Sequence, residues 1–524
     1  MRIRRVTEFR KLLDELRVCD RKALVRESSS GLCFAHSWDW WSPDCHASSE
    51  LPSQPLIIPG RMLCLPDVDA AHRDQWRHRL AIVSSRLSLR LDLEKRWFDL
   101  LRTSVLHALE EKQSVVVVRG TATSEIVSRA AVLFGLPMVD CRISDQEVDH
   151  SHTLTNWISA CIQNVETEAE SQRDSIPIFR IWISPRCFVG DHELHEGQSS
   201  APPEADSTAF RVATRTVVLN CRRGGNIHTA IRNHIRQQHN LHCPVIVAAD
   251  AMQGLSSDED IKDGWVPWIV DPAKNAETDS SLTRSLIVNA HESTIRLDRN
   301  PRDRTEDPAS RSDPLSAPND WLCHWTRPAQ GPWPEETRND FLDQLILGCP
   351  SADRSALAAV LRMISTGKLK ASSAGIRGSY AVVSLTAVPL SEFRQRRVFR
   401  KHRHRFDFEP FGIAIRRTCL ESIGVRPVIY GTDTDWNQLS NDERPFFQKA
   451  TRDSSTSNLD EQEWRVQGDI PLSHFGADDV VLFTDLAEQQ SMLQQCTKWR
   501  VLVVPPSSTE PVNSDINAGD SRNA

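Results

Sequence analysis

Ser114-Val-Val-Val-Val-Arg119, Gly120-Thr-Ala-Thr-Ser-Glu125 and Pro137-Met-Val-Asp140 decide the fold. Consecutive valines mark a strand buried on both faces, because a half-exposed strand alternates apolar with polar residues. Gly120 opens a turn, and the hydroxyl residues after it offer a helix cap. Apolar residues then recur at helical spacing over 126–134 and stop at Gly135, where a left-handed residue ends a helix without strain. Pro137 begins the next strand, so the three segments form one β-α-β unit. The apolar stretches Ile176-Pro-Ile-Phe-Arg-Ile-Trp-Ile183, Thr216-Val-Val-Leu-Asn220 and Pro244-Val-Ile-Val-Ala-Ala249 extend the pattern. Alternation of this kind predicts the α/β class, with a Rossmann-like, mostly parallel sheet over 54–296. Residues 190–207 are polar and contain Pro202-Pro203, which predicts an exposed insertion.

On the N-terminal side, residues 1–53 combine an amphipathic helix pattern over 7–16 with the aromatic segment Gly31-Leu-Cys-Phe-Ala-His-Ser-Trp-Asp-Trp-Trp41. The helix pattern is not a signal-peptide core, and a cytoplasmic location is the expectation. On the C-terminal side, 297–319 is rich in proline and charge and reads as a flexible linker. A second, α+β domain follows over 320–506, and 507–524 is expected to be a disordered tail. A chain of 524 residues accommodates two or three domains of ordinary size. No apolar run reaches the roughly 18 residues that a membrane helix needs. Thirteen cysteines without a Cys-x-x-Cys pair read as reduced, buried thiols. A net charge of -7 argues against the whole chain coating nucleic acid.

Two strand-to-helix turns of the first domain are candidate phosphate cradles. One holds Gly120 and Thr121 beside Arg119; the other, Cys221-Arg-Arg-Gly-Gly-Asn226, holds Gly224, Gly225 and Asn226. Backbone N–H groups at a helix start favour anions, and open α/β sheets bind ligands at the carboxyl ends of their strands. Neither turn is a Gly-x-Gly-x-x-Gly or Walker motif, so both also read as ordinary tight turns. His192 and His195 lack the spacing of a zincin helix, and no metal is expected there. His234, His239 and His242 read as solvated.

The second domain opens on Trp321-Leu-Cys-His-Trp-Thr326, continues through Tyr380-Ala-Val-Val-Ser-Leu-Thr386 and later contains Asp460-Glu-Gln-Glu-Trp-Arg465. This order resembles the start of the ADP-ribosyltransferase fold, in which a His-x-Thr strand meets the NAD ribose and a later strand supplies a small hydroxyl residue. Val383-Ser-Leu-Thr-Ala-Val-Pro-Leu390, Glu409-Pro-Phe-Gly-Ile-Ala-Ile415 and Arg426-Pro-Val-Ile-Tyr430 resemble the AbiGi-type abortive phage-resistance family and related small bacterial domains. The resemblance implies an ADP-ribosyltransferase-like domain, NAD as cofactor and a setting in phage defence. Cleaving the nicotinamide–ribose bond passes through an oxocarbenium-like centre and calls for a carboxylate. Glu463 is the first candidate and Glu461 the second. His324 is a further catalytic candidate and Thr326 a ribose or amide contact; Ser384 and Thr386 are candidates to line the cleft, and Arg465 either meets phosphate or locks the glutamate. The hydroxyl-x-glutamate pair of many transferases is missing.

Arg394, Arg396, Arg397, Arg400, Lys401, Arg403 and Arg405 concentrate seven positive charges in twelve residues. They form a candidate nucleic-acid patch, or a solvated helix paired with Asp407 and Glu409. The alternative to an NAD-using enzyme is therefore a non-catalytic protein that binds nucleotides or nucleic acid. Catalysis requires His324, Ser384 and Glu463 to converge on one cleft.

Overall fold

The computed structural model describes residues 26–27, 32–36, 62–66, 73–144, 176–184, 204–237, 245–248, 265–268, 314–392, 397, 399–400, 405–406, 408–450 and 462–504. The helix expected over 7–16, the linker core over 297–313 and the tail over 507–524 lie outside these residues. The chain divides into two compact units. The first comprises Met1–Ala290 with Thr337–Ala352, and the second His291–Glu336 with Asp353–Ala524.

The first unit is built on β4 (Arg79–Ser84), β5 (Ser114–Val118), β6 (Met138–Ile143), β7 (Ile178–Ile183), β8 (Arg215–Asn220), β9 (Val245–Ala248) and β10 (Trp265–Trp268), all paired in parallel. The valines of β5 are buried throughout, as a strand covered on both faces requires. Three short strands, β1 (Arg26–Glu27), β2 (Leu32–His36) and β3 (Met62–Pro66), extend the sheet antiparallel beyond β7.

The spatial order is β1-β2-β3-β7-β6-β5-β4-β8-β9-β10. From β4 the chain steps outward through β5, β6 and β7, then returns across β4 to lay β8 on its other side. Strand order thus reverses between β4 and β8. Helices α1 (Lys95–Glu110) and α2 (Ser124–Phe134) serve the outward steps and pack together. Helices α3 (Glu204–Val212) and α4 (Asn226–Gln237) serve the return and likewise pack together. Right-handed crossovers in both directions place the two pairs on opposite faces of the sheet. Part of the expected insertion over 190–207 is therefore scaffold: α3 begins at Glu204, and its Ala209, Phe210 and Val212 are buried.

Helix α5 (Arg338–Leu347) lies within 320–506, the stretch expected to form the second domain, but clusters with the first unit. Its start is fixed by a capping box in which Asp340 N–H donates to Thr337 Oγ1 (3.1 Å) and Thr337 N–H donates to Asp340 Oδ2 (3.0 Å). Phe341, Leu342, Leu345, Ile346 and Leu347 are all buried in the first unit's core. Five such residues in one ten-residue helix exceed a single stripe, so the helix needs burial around much of its circumference. Arg129 grips Asp343 through two bonds of 2.6 Å, and Arg338 meets Glu125 through two of 2.9 Å.

His234, expected to be solvated, is instead buried at the α3–α4 contact, 5.3 Å from the Phe210 ring. Burial, with a smaller effect from Arg211, pushes its pKa down to about 4. The unfolded chain then binds the extra proton between about pH 6.5 and 4, so this stability contribution is present at neutral pH and lost on acidification. We expect the wild-type protein to be about 2 kcal/mol less stable at pH 5 than at pH 7 through this group. Denaturant titration of His234→Leu at both pH values should show the difference shrinking by that amount.

The second unit holds β11 (Trp321–Trp325), β12 (Val382–Thr386), β13 (Gly412–Arg416), β14 (Arg426–Pro427), β15 (Glu463–Gln467), β16 (Val480–Thr484) and β17 (Arg500–Val503). Their order is β14-β15-β12-β11-β13-β16-β17, antiparallel except for the last pair. One face carries Leu322, Val383, Leu385, Ile413, Ile415 and Leu482, together with Val360 of α6 (Ala356–Thr366) and Leu493 of α7 (Ala487–Cys496). The other carries Trp321, Cys323, Trp325, Ala414, Val481 and Phe483. Gly412 is obligatory in β13, since a Cβ there would fall 2.4 Å from both the His324 carbonyl oxygen and Phe483 Cζ. Among the described residues no helix is long and apolar enough to cross a membrane.

Candidate functional site

In the second unit, strand register assigns each candidate to a face. Ser384 lies opposite Arg465, Thr386 opposite Glu463, and Cys323 opposite Thr386. Side chains of paired residues share a face, so Ser384, Thr386, Glu463 and Arg465 project on the side of Cys323. His324 follows Cys323 in the strand and pairs with Ile413, which places its ring on the opposite side, so the expected convergence of His324, Ser384 and Glu463 on one cleft does not occur and those three cannot act together. Glu461 lies outside the described residues.

The polar groups of this set are already engaged. Arg465 is 2 % exposed, and its Nε and Nη2 donate to Glu463 at 2.9 and 3.1 Å. Its Nη1 donates to the Phe447 carbonyl at 2.8 Å and its Nη2 to Gln448 Oε1 at 2.7 Å. Of the two roles open to Arg465, locking the glutamate is the one this geometry performs. Thr326 Oγ1 donates to the Phe411 carbonyl (3.0 Å), and Thr386 Oγ1 accepts from Val388 N–H (3.1 Å). His324 Nδ1 donates to the Ser384 carbonyl at 2.8 Å. Burial lowers the His324 pKa; that hydrogen bond opposes the shift and Arg327 adds to it, so the ring is neutral at neutral pH. Gln462, next to Glu463, has φ of +43°, a left-handed backbone uncommon for a residue other than glycine. Removing the His324 ring deletes this bond to the Ser384 carbonyl, and His324→Ala should cost about 1–3 kcal/mol in a denaturant titration.

Beside this pair lies a cleft of about 440 Å³ lined by Arg377, Asp433, Phe447, Gln448 and Lys449. Asp433 is held by Arg377 and, at 2.5 Å, by Lys449, and both cations keep its carboxyl below the usual range. Arg377 also sits 4.7 Å over the Trp436 ring.

In the first unit, the turn of Gly120 and Thr121 is closed by its own bonds. Thr121 Oγ1 donates to the Val118 carbonyl at 2.9 Å, and Ser124 Oγ donates to the Thr121 carbonyl at 3.1 Å. Arg119 donates to the buried Asp140 at 2.7 Å, where Arg142 also donates at 3.1 Å. The second turn lies at the point of strand reversal. Ser85 N–H donates to the Asn220 carbonyl (2.8 Å), and Arg222 N–H donates to Ser85 Oγ (2.9 Å), tying the carboxyl ends of β4 and β8 together. Gly224 has φ of +71°, and Gly225 N–H donates to the Arg222 carbonyl at 3.0 Å before α4 opens at Asn226. The Arg222 and Arg223 side chains stay exposed.

Asp206 was not among the sequence candidates. It occupies the first turn of α3 at 8 % exposure, and burial raises its pKa. Its spacing to Ala209, Phe210 and Ala213, all buried, puts it on the buried stripe of the helix. That i, i+3, i+4, i+7 pattern is visible in the sequence, but Pro202-Pro203 and the polar residues before it mask the helix.

The basic patch is described only in part. Arg394, Arg396, Lys401 and Arg403 lie outside the described residues. Phe399–Arg400 pairs antiparallel with Arg405–Phe406, so these residues are extended and not helical as expected. Arg397 donates to Glu409 at 3.1 Å and sits 4.1 Å over the Phe406 ring. No protein-family model matches the chain, and no curated protein matches it.

Proposed function

We propose that this protein is a nucleotide-binding sensor whose first unit receives its ligand where the strand order reverses between β4 and β8. The observation that carries this reading is the turn Arg222-Arg223-Gly224-Gly225 at that crevice, tied to Ser85 and opening directly into α4. Adjacent connections depart to opposite faces there and leave a crevice outside the strand ends. Glycines let the backbone approach a phosphate, the helix start presents N–H groups, and two exposed guanidinium groups supply charge. Isothermal titration of the full chain with ATP and with NAD tests it. Binding should weaken at least tenfold in the Arg222→Ala/Arg223→Ala double variant, and equal binding by that variant would remove the turn from the site.

A second reading, NAD-consuming chemistry in the second unit, is favoured by the shared face of Ser384, Thr386 and Glu463 beside the left-handed Gln462. It requires Glu463 to exchange Arg465 for a ribose hydroxyl, and it leaves His324 a positioning role through the Ser384 backbone. A phage-defence setting, implied by the family resemblance, belongs to this reading. Nicotinamide release by the wild type that disappears in Glu463→Gln, with an unchanged melting temperature, supports it; no release with NAD in the presence of DNA, RNA or cell extract counts against it.

A further inference from the structure

The cleft of about 440 Å³ in the second unit is chemically one-sided. Arg377, Gln448 and Lys449 bring donors to its wall, and Asp433 is the one acidic side chain among the residues that line it. Both cations meet that carboxylate, Lys449 at 2.5 Å, and all three groups are open to solvent. Two positive charges thus share one negative charge. The nearby carboxylates Asp435 and Glu443 are taken up in caps at Thr432 and Ser440, and neither lines the cleft. Gln448 is fixed by Arg465, whose Nη2 donates to its Oε1 at 2.7 Å; the Gln448 Nε2 makes no hydrogen bond among the described residues. The segment that carries Arg377 is strained. Gly375 and Gly378 have φ of +77° and +78°, and Ser379 has φ of +57° without being glycine. A Cβ at Gly378 would fall 2.6 Å from the Tyr380 ring and 3.2 Å from that of Trp436, so glycine is needed for the turn to close on them. The Arg377 guanidinium then stacks 4.7 Å from the Trp436 centroid and 5.8 Å from that of Phe447. Exposed ion pairs add little to stability, so the contacts to Asp433 do not account for this arrangement. Backbone strain of this kind persists where it holds a side chain for use.

We infer that this cleft binds the phosphate group of a small molecule through Arg377, Lys449 and Gln448, and that Asp433 competes for the same two cations. Phosphate is the complement because its oxygens only accept hydrogen bonds and several of them are presented at once. A planar guanidinium grips two oxygens, an ammonium adds a point charge, and the amide supplies a neutral donor. Phosphate also carries more charge than the single carboxylate it displaces. The volume falls in the range of small-molecule sites and leaves room for the group that carries the phosphate. This site belongs to the second unit and does not depend on nucleotide binding at the Arg222–Gly225 turn.

The test is calorimetric titration of the full chain with inorganic phosphate, pyrophosphate and ADP at physiological ionic strength. Every protein carries Arg222→Ala/Arg223→Ala, so that binding at the first unit's turn is not counted. Pyrophosphate should bind this background. Adding Lys449→Gln removes an exposed side chain whose one contact is Asp433, so the melting temperature should hold while affinity falls roughly tenfold, the loss expected of a charged hydrogen bond. Adding Arg377→Ala as well should abolish binding. Asp433→Asn removes the competitor and should bind more tightly, a gain that an ion pair serving only the fold does not produce. ADP binding at least tenfold tighter than pyrophosphate would identify a nucleotide as the source of the phosphate, and equal affinities an inorganic one. Unchanged affinity in Lys449→Gln, no gain in Asp433→Asn, or no binding of any of the three probes overturns the assignment.

Discussion

Replacing Arg465 by methionine should cost the second unit about 3–5 kcal/mol, the range for removing one partner of a buried ion pair. Methionine conserves much of the volume, so the loss reports charge and hydrogen bonding more than a cavity. Four donor contacts disappear at once: two to Glu463, one to the Phe447 carbonyl and one to Gln448. The Glu463 carboxylate, 16 % exposed, is then left without its cation. Arg465→Lys should not rescue the fold, since an ammonium cannot reproduce the planar two-point contact. Guanidinium denaturation with second-unit hydrogen exchange as the regional probe measures this. A change below about 1 kcal/mol would mean that the pair is dispensable and Glu463 free for other work. The same result governs any kinetic test of Glu463→Gln, because activity lost through instability carries no information about catalysis.

Phe341→Ala should cost about 3–5 kcal/mol, the usual range for emptying a buried phenyl site. Phe341 is fully buried, and it sits in the first unit's core although its sequence neighbours on both sides belong to the second. The location of the effect is therefore the stronger test. Hydrogen exchange should accelerate in α1, α2, β4 and β5, and stay unchanged in β11, β12 and β13. Acceleration confined to the second unit would show that α5 is not part of the first unit's core. Because the chain has two units, the midpoint of a single global transition is a poor substitute for this regional measurement.

Legibility differed between scaffold and site for a physical reason. Buried parallel strands announce themselves through continuous apolar runs, as in Ser114–Val118. Turn residues do the same through the backbone angles they permit, as Gly224 and Gly135 do. Site chemistry depends on which face a side chain reaches and on what already bonds it. His324 and Ser384 sit in neighbouring strands, yet pleating sends the ring away from the Ser384 side chain and toward its carbonyl. Asp206 looks like any acidic residue of a polar loop until α3 is seen to lie on the sheet.

What the sequence by itself determined is the parallel α/β sheet of the first unit, with glycine turns at its carboxyl edge, because hydrophobic period and turn chemistry are local properties of the chain. Only the tertiary structure decided that the order reverses at β4 and β8, that α5 leaves its sequence neighbours for the first core, that Arg465 occupies Glu463, and that Asp206 lies on a buried helix stripe. Each of these rests on contacts between residues far apart in the chain, where burial and pairing are settled by packing and no local pattern records the outcome.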